Sequence, residues 1–184
     1  MGTLIPQSSV RNLLKNYYEL TKPKIWYLLV FTAFGSALTA SFLFDIPVQP
    51  LTWILLIAGV AAGSAAADTI TGYNDRDIDA IMERTKQRPI PSGRISPRNA
   101  LVFGLILTSI SLICSWLINV WVFALMIFGL FDNIIVYSKW LKRTSQSNII
   151  LGGFSGGAPA MIGYLAVTTQ NLEVGLVMAG LVFL

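Results

Sequence analysis

The chain has 184 residues, 54% of them apolar and only 12% charged, with a formal net charge of +4 and no histidine. A soluble domain usually carries about 25% charged residues, so this composition and a mean hydropathy of +0.66 exclude an ordinary globular fold and place the chain in a membrane. The missing imidazole excludes metal or acid–base machinery built on histidine. A single cysteine, Cys114, excludes an intrachain disulfide or a thiolate metal site and reads as an inert buried thiol.

Apolar runs, measured against the roughly 20 residues that cross hydrocarbon, set the organisation. Residues 25–44 form an uncharged run, longer than the core of about 7–15 residues in a signal peptide, and so read as a retained span. Residues 51–73 follow, interrupted by Asp68. Residues 100–137 carry one charge, Asp132; as a straight helix this run would reach about 57 Å, nearly twice the hydrocarbon thickness. It must fold back as a tight pair, with Asn119 as the turn residue. A fifth run covers 149–167, and a sixth begins at Leu172 and stops at Leu184, short of a full crossing. The expectation is an all-α, polytopic transmembrane helix bundle with about six spans. Residues 1–184 form a single domain, read as the front part of a longer bundle.

All 13 Lys and Arg residues fall before the first span, between the second and third, or between the fourth and fifth. By the positive-inside rule that side is cytoplasmic. The sequence pI near 9.4 is then topology rather than a nucleic-acid signal, and no nucleic-acid partner is expected. Membrane lipid is the expected surrounding, with the cell membrane as location.

The polar segment 74–97 is where chemistry would sit. On a helix continuing past the membrane edge, Asp75 and Asp79 are an i, i+4 pair, and Asp68, seven residues earlier, shares their face. Like charges one turn apart repel, a cost that a bound metal removes. Magnesium takes one or two carboxylates, waters and phosphate oxygens, which suits this pair. The alternative is a charged helix end pairing with Arg76. A carboxylate within a span, such as Asp68, is by default a functional-site hypothesis. Pro89 and Pro91 then rule out continuous helix and favour an extended loop from which Arg84, Arg88 and Arg94 could reach back towards the carboxylates or simply face lipid headgroups. Guanidinium forks suit phosphate oxygens. At the end of the fourth span, Tyr137 and Trp140 fit an interfacial belt, and Asp132 lies where Lys139 or a substrate cation could pair with it. Gly152/Gly156 and Gly153/Gly157 are small-residue pairs that permit close helix packing, or a flat wall beside a bulky ligand.

The run from Asp75 through Asp79 to Arg94 resembles the first aspartate-rich motif and following loop of the UbiA superfamily of intramembrane prenyltransferases, most of all its heme-farnesylating branch. Leu20-Thr-Lys-Pro-Lys24, Tyr137-Ser-Lys-Trp-Leu-Lys-Arg143 and Asn148 through Gly163 support the likeness, which covers residues 20–168. One departure is Thr71, a weaker ligand, at the place where the motif carries Asn. The resemblance implies about nine spans in the complete fold, a Mg²⁺ cofactor, and two substrates: farnesyl diphosphate (or a longer prenyl diphosphate) and heme b, whose vinyl group would receive the prenyl chain to give heme O. It assigns Asp75 and Asp79 to catalysis and, with Asp68, to the metal. Arg88, Lys142 and Arg143, with Arg84 and Lys22 behind them, would hold the diphosphate, and Tyr73 or Tyr137 would face the allylic cation. It also leaves room for a homo-oligomer or an association with heme A synthase. Two readings compete: a prenyltransferase with a quinone-precursor or archaeal-lipid acceptor, and a non-enzymatic cation-conducting protein using Asp68, Asp75 and Asp132.

Overall fold

The computed structural model describes residues 7–141 and 148–183, and these are helical throughout apart from short connections. An amphipathic helix, α1 (Gln7–Leu20), precedes α2 (Pro23–Phe44) and α3 (Pro50–Asn74), both opened by proline at the first helical turn, where the missing N–H is not needed. A short α4 (Arg76–Ile81) leads into a loop, then α5 (Pro97–Ile118), which is capped by the Ser96 hydroxyl accepting from the Asn99 amide. The long apolar run does fold back at Asn119. That side chain accepts from the amides of Trp121 and Val122 at 3.0 and 2.9 Å, and donates to the Leu165 carbonyl at 2.8 Å. It thereby caps α6 (Val120–Phe131) and ties the turn to the end of α7 (Asn148–Leu165). From Asp132 to Leu141 the backbone widens into a π-helical segment, which the sequence pattern does not announce. The last helix is α8 (Leu172–Phe183). The six apolar runs are all helices, in the expected order; α2, α3 and α5 are each long and apolar enough to cross a membrane.

With lipid outside, helices gain little from burying apolar surface against one another, so small residues and close approach do the packing. Ala33, Ala37 and Ala40 of α2, Ala66 and Ala67 of α3 and Ala160 of α7 are buried, whereas Phe31 and Phe42 stand 73% and 80% exposed, as lipid-facing side chains would. Helices α3 and α5 meet where the Ser111 hydroxyl donates to the Gly59 carbonyl at 2.8 Å, and α2 and α7 meet where Ser36 donates to Ala160 at 2.6 Å. Gly157 lies against α8, where an added Cβ would come within 2.9 Å of the Ala179 carbonyl. Of the expected small-residue positions, Gly157 is therefore a packing contact, while an added Cβ at Gly156 would meet nothing within 4 Å.

The tightest approach is at Gly163, where any Cβ would run into the backbone carbonyl of Ala33 on α2. Backbone cannot yield as a flexible side chain can, so Gly163→Ala should force α2 and α7 apart at a cost of about 1–3 kcal/mol. The expected outcome is a lower unfolding midpoint in detergent; Gly156→Ala, with open space, should leave that midpoint in place.

Candidate active site

The helix carrying the aspartates does not run straight on. Asp75 takes φ −89°, ψ 1°, ending α3, and α4 restarts at Arg76. The one-turn spacing survives because the Asp75 amide donates to the Thr71 carbonyl at 2.9 Å and the Asp79 amide to the Asp75 carbonyl at 2.8 Å. Asp68, Thr71, Asp75 and Asp79 thus stay on successive turns. Asp75 and Asp79 are 2% and 4% exposed, while Asp77 faces outward.

Buried carboxylates need partners, and two come from distant segments. Arg88 donates to Asp79 Oδ2 at 2.7 Å, and Lys22 donates to Asp68 Oδ1 at 2.8 Å. Lys22 does so from a left-handed backbone conformation, φ 46°, ψ 66°, a state costing about 1–3 kcal/mol for a non-glycine residue and kept only where its surroundings enforce it. Arg88 reaches inward because the loop after α4 is not extended, as expected from Pro89 and Pro91, but folded into consecutive turns. Thr85 is buried and donates to the Asp79 carbonyl at 3.1 Å, the Ile95 amide returns to the Pro89 carbonyl at 3.0 Å, and Gly93 supplies the positive φ of 74° that the last turn requires. The prolines exclude helix without demanding an open chain.

Lys22, Asp68, Asp79 and Arg88 line one cavity of about 190 Å³, closed by Glu19, Leu20, Gly72, Pro89, Ile90 and Pro91. Asp68 also lines a second, mostly apolar cavity of about 90 Å³ running between α2, α3, α6 and α7. The structure therefore brings together four of the residues singled out in the sequence, with Asp75 buried one turn from Asp79. Thr71 is buried, and its hydroxyl approaches Asn133 Oδ1 at 3.4 Å. Arg84 is exposed and does not line the cavity. Lys142 and Arg143 lie outside the described residues, as does the side chain of Tyr137. Asp132 is buried, and its Oδ2 has no hydrogen-bond partner among the described residues.

Two expectations are corrected. Arg76 does not pair with the carboxylates; it donates to the Tyr73 carbonyl at 2.8 Å and its guanidinium lies 4.4 Å over the Tyr73 ring. That face of Tyr73 is already taken by a cation, so it is a poor platform for a carbocation. Arg94 does not reach the aspartates either. It grips α1, with a two-pronged pair to Glu19 at 2.7 and 2.9 Å and a hydrogen bond to Asn16 at 2.8 Å. Glu19, Thr85 and Asn133 were not singled out by sequence; the two polar residues Glu19 and Asn133 are visible only once distant segments meet.

Among the described residues no three carboxylates or thiols converge closely enough to hold an ion alone. The donor set still fits magnesium of the kind that brings its own phosphate oxygens and needs one or two carboxylates. Asp68 Oδ2 is a buried oxygen without a hydrogen-bond partner among the described residues, on a side chain that lines both cavities.

Residues 28–184 match the model of the UbiA prenyltransferase family. The chain belongs to that family. It is 55% identical over 177 residues to protoheme IX farnesyltransferase 2 of Cenarchaeum symbiosum, an alignment covering 91% of this chain and 57% of that relative, so the chain spans little more than half the relative's length. Among solved structures, a digeranylgeranylglyceryl phosphate synthase superposes with a TM-score of 0.82 at 23% identity, over 93% of this chain and 58% of that one. A UbiA homolog from Archaeoglobus fulgidus bound to DMAPP and Mg²⁺ superposes at 0.69 and 19% identity, over 91% and 60%. These structural likenesses carry the fold: a membrane-embedded helical bundle.

Arg94 holds the Glu19 carboxyl below its ordinary value of 4.5. A lowered folded value means that the α1–loop tie is fully present above about pH 4.5 and is lost as pH falls through the lowered value. Because the pair is largely exposed, its effect is local rather than global. Glu19→Gln at neutral pH should raise amide hydrogen exchange across residues 87–95, and acidification should do the same to the unaltered protein without further effect on the variant.

Proposed function

We propose that this protein transfers a farnesyl group, or a longer prenyl group, from its diphosphate to a vinyl carbon of heme b, giving heme O. The observation that carries the reading is Asp68, shared by a charged cavity and an apolar one. A ligand with a polyanionic head and a hydrocarbon tail fits that pair of spaces; a cation pathway has no use for the apolar one. The acceptor follows from the 55% identical relative named protoheme IX farnesyltransferase 2, since likeness below 25% identity to an archaeal-lipid enzyme speaks to fold alone.

Asp75 and Asp79, with Asp68, would hold Mg²⁺, which supplies charge neutralisation at the departing diphosphate. Before loading, Arg88 and Lys22 neutralise Asp79 and Asp68. Arg88 and Lys22, which reach the same carboxylates and line the same cavity, would also be placed to bind phosphate oxygens, for which guanidinium is well shaped. Lys142, Arg143 and Arg84 would add charge for the diphosphate. Positive groups fixed at the leaving group stabilise charge as the carbon–oxygen bond breaks, and the apolar walls formed by Ile25, Leu29, Leu130 and Ile162 keep water from the allylic cation. Its attack by the vinyl π electrons forms the new carbon–carbon bond. The cation left on the vinyl carbon next to the porphyrin would then add a water molecule, forming a carbon–oxygen bond and releasing one proton, to give the hydroxyl-bearing side chain of heme O. The basic loops and the site lie on the cytoplasmic side in this reading.

Mass spectrometry of heme extracted from a heme-b-containing host expressing the protein tests the reaction. Heme O should accumulate with the unaltered protein and vanish with Asp75→Asn or Asp79→Asn, both still inserted in the membrane. Normal turnover in Asp79→Asn would overturn the metal assignment, and prenylation of an aromatic acid or a glyceryl phosphate instead of heme would move the acceptor. Lys142→Gln with Arg143→Gln should raise KM for the prenyl donor several-fold; an unchanged value would return both residues to topology.

A further inference from the structure

The apolar cavity is walled by Met126, Gly129 and Leu130 of α6 and by Asn133 in the π-helical segment that follows it. Three members are apolar or small. The fourth is a carboxamide. On the facing helix α3 the lining is Val60, Gly63, Ser64, Ala67 and Asp68, and Thr71, just beyond Asp68, meets Asn133 across the helix pair. Each wall therefore places a polar side chain, Asp68 or Asn133, at the cavity.

Asn133 is poorly satisfied where it stands. Its side chain carries four hydrogen-bonding positions, yet among the described residues it makes one hydrogen bond, from the Thr71 hydroxyl at 3.4 Å, long for an O–H···O contact. A polar side chain half-sunk among apolar neighbours without a full set of partners costs free energy, and it belongs to a backbone segment widened into π-helix, a geometry frequent at functional sites. The contact to Thr71 also fixes direction. With the carboxamide oxygen accepting from α3, the NH₂ group is the end left to donate.

We propose that Asn133 positions the diphosphate of the donor, its NH₂ group donating to a phosphoryl oxygen from the wall opposite the aspartates, and so sets where head ends and hydrocarbon begins. This rests on the prenyl-diphosphate reading and extends it to a helix that carries none of the aspartate motif. Asp68 and Thr71 on α3 and Asp75 just past its end would give metal-binding oxygens; Asn133, in the π-helical segment, gives a neutral donor, which adds no charge to a cluster already balanced by Lys22 and Arg88.

The test measures head and tail separately by calorimetry on the membrane protein in nanodiscs, with inorganic pyrophosphate plus Mg²⁺ as one probe and farnesol as the other. Asn133→Leu, close in size, should weaken pyrophosphate binding about ten-fold, the scale of one hydrogen bond to a charged group, and leave farnesol binding unchanged. Asn133→Asp keeps the shape and folds on the same packing, but brings a carboxylate to a phosphate; it should weaken pyrophosphate further and again spare farnesol. Equal pyrophosphate affinity in Asn133→Leu and the unaltered protein would overturn the proposal, as would a parallel loss of both probes, which marks a packing role. Failure of the unaltered protein to bind pyrophosphate with Mg²⁺ would overturn the prenyl-diphosphate reading itself and this proposal with it.

Discussion

Carboxylates placed in or beside hydrocarbon cannot stay charged without partners, and at one end of this bundle that requirement organises three separate segments. Asp68 sits inside α3, and its counter-ion comes from Lys22 at the junction of α1 and α2. Asp79 sits in α4, and its counter-ion comes from Arg88 in the following loop. Breaking a buried pair is expensive because it strands a charge, so each pair holds its segment in place. Lys22 keeps a strained left-handed backbone, and the loop folds back in tight turns rather than trailing along the surface. The tie from Arg94 to Glu19 then locks the loop to α1, and Leu20, Ile90, Ile95 and Ala100 close a small apolar cluster beneath it. The charged cavity is what remains between these supports.

The other constraint is volume. Helices in lipid gain by approaching closely, and the residues that permit this also leave the apolar cavity. Gly63 and Ala67 of α3, Gly129 of α6 and Ala158 of α7 all border it. Contacts made of small side chains interlock little, so helices that meet through them leave an apolar slot between their faces. The same residues that assemble the bundle make it the kind of bundle a chain can enter.

Much of this was legible in sequence because a bilayer allows few solutions. With every backbone group to be satisfied internally, counting apolar residues against hydrocarbon thickness located the six apolar helices, three of them long enough to cross a membrane among the described residues, and the excess length of residues 100–137 required the turn that Asn119 makes. Asp68 stands out in the sequence because a carboxylate within an apolar run is costly; Asp75 and Asp79 lie in a polar segment, where one-turn spacing suggests a metal pair but equally suits a charged helix end. What periodicity could not reach were features made by contact between distant segments. The left-handed Lys22 depends on where Asp68 lies across the helix pair. Arg94 and Arg88 are equivalent on paper, and only the turn geometry sends one to Glu19 and the other to Asp79. Proline signals the end of helix but not the shape that follows, so the loop was read as extended. Asn133 had a faint signal, a polar residue ending an i, i+3, i+4, i+7 apolar stripe, which gains meaning only opposite Thr71.

Donor and acceptor rest on different kinds of observation, and they separate along the chain's own geometry. In the proposed reading, the charged cavity, the shared Asp68 and the apolar slot would receive a diphosphate and its tail, and the fold that carries them superposes on a digeranylgeranylglyceryl phosphate synthase and on a homolog bound to DMAPP and Mg²⁺. Nothing in such a donor site distinguishes a heme edge from a glyceryl phosphate, because the reacting carbon becomes electrophilic when the diphosphate leaves, whatever waits beside it. The proposal of heme as acceptor therefore draws on the 55% identity to a protoheme IX farnesyltransferase, because identity at that level bears on side chains, where a shared fold does not.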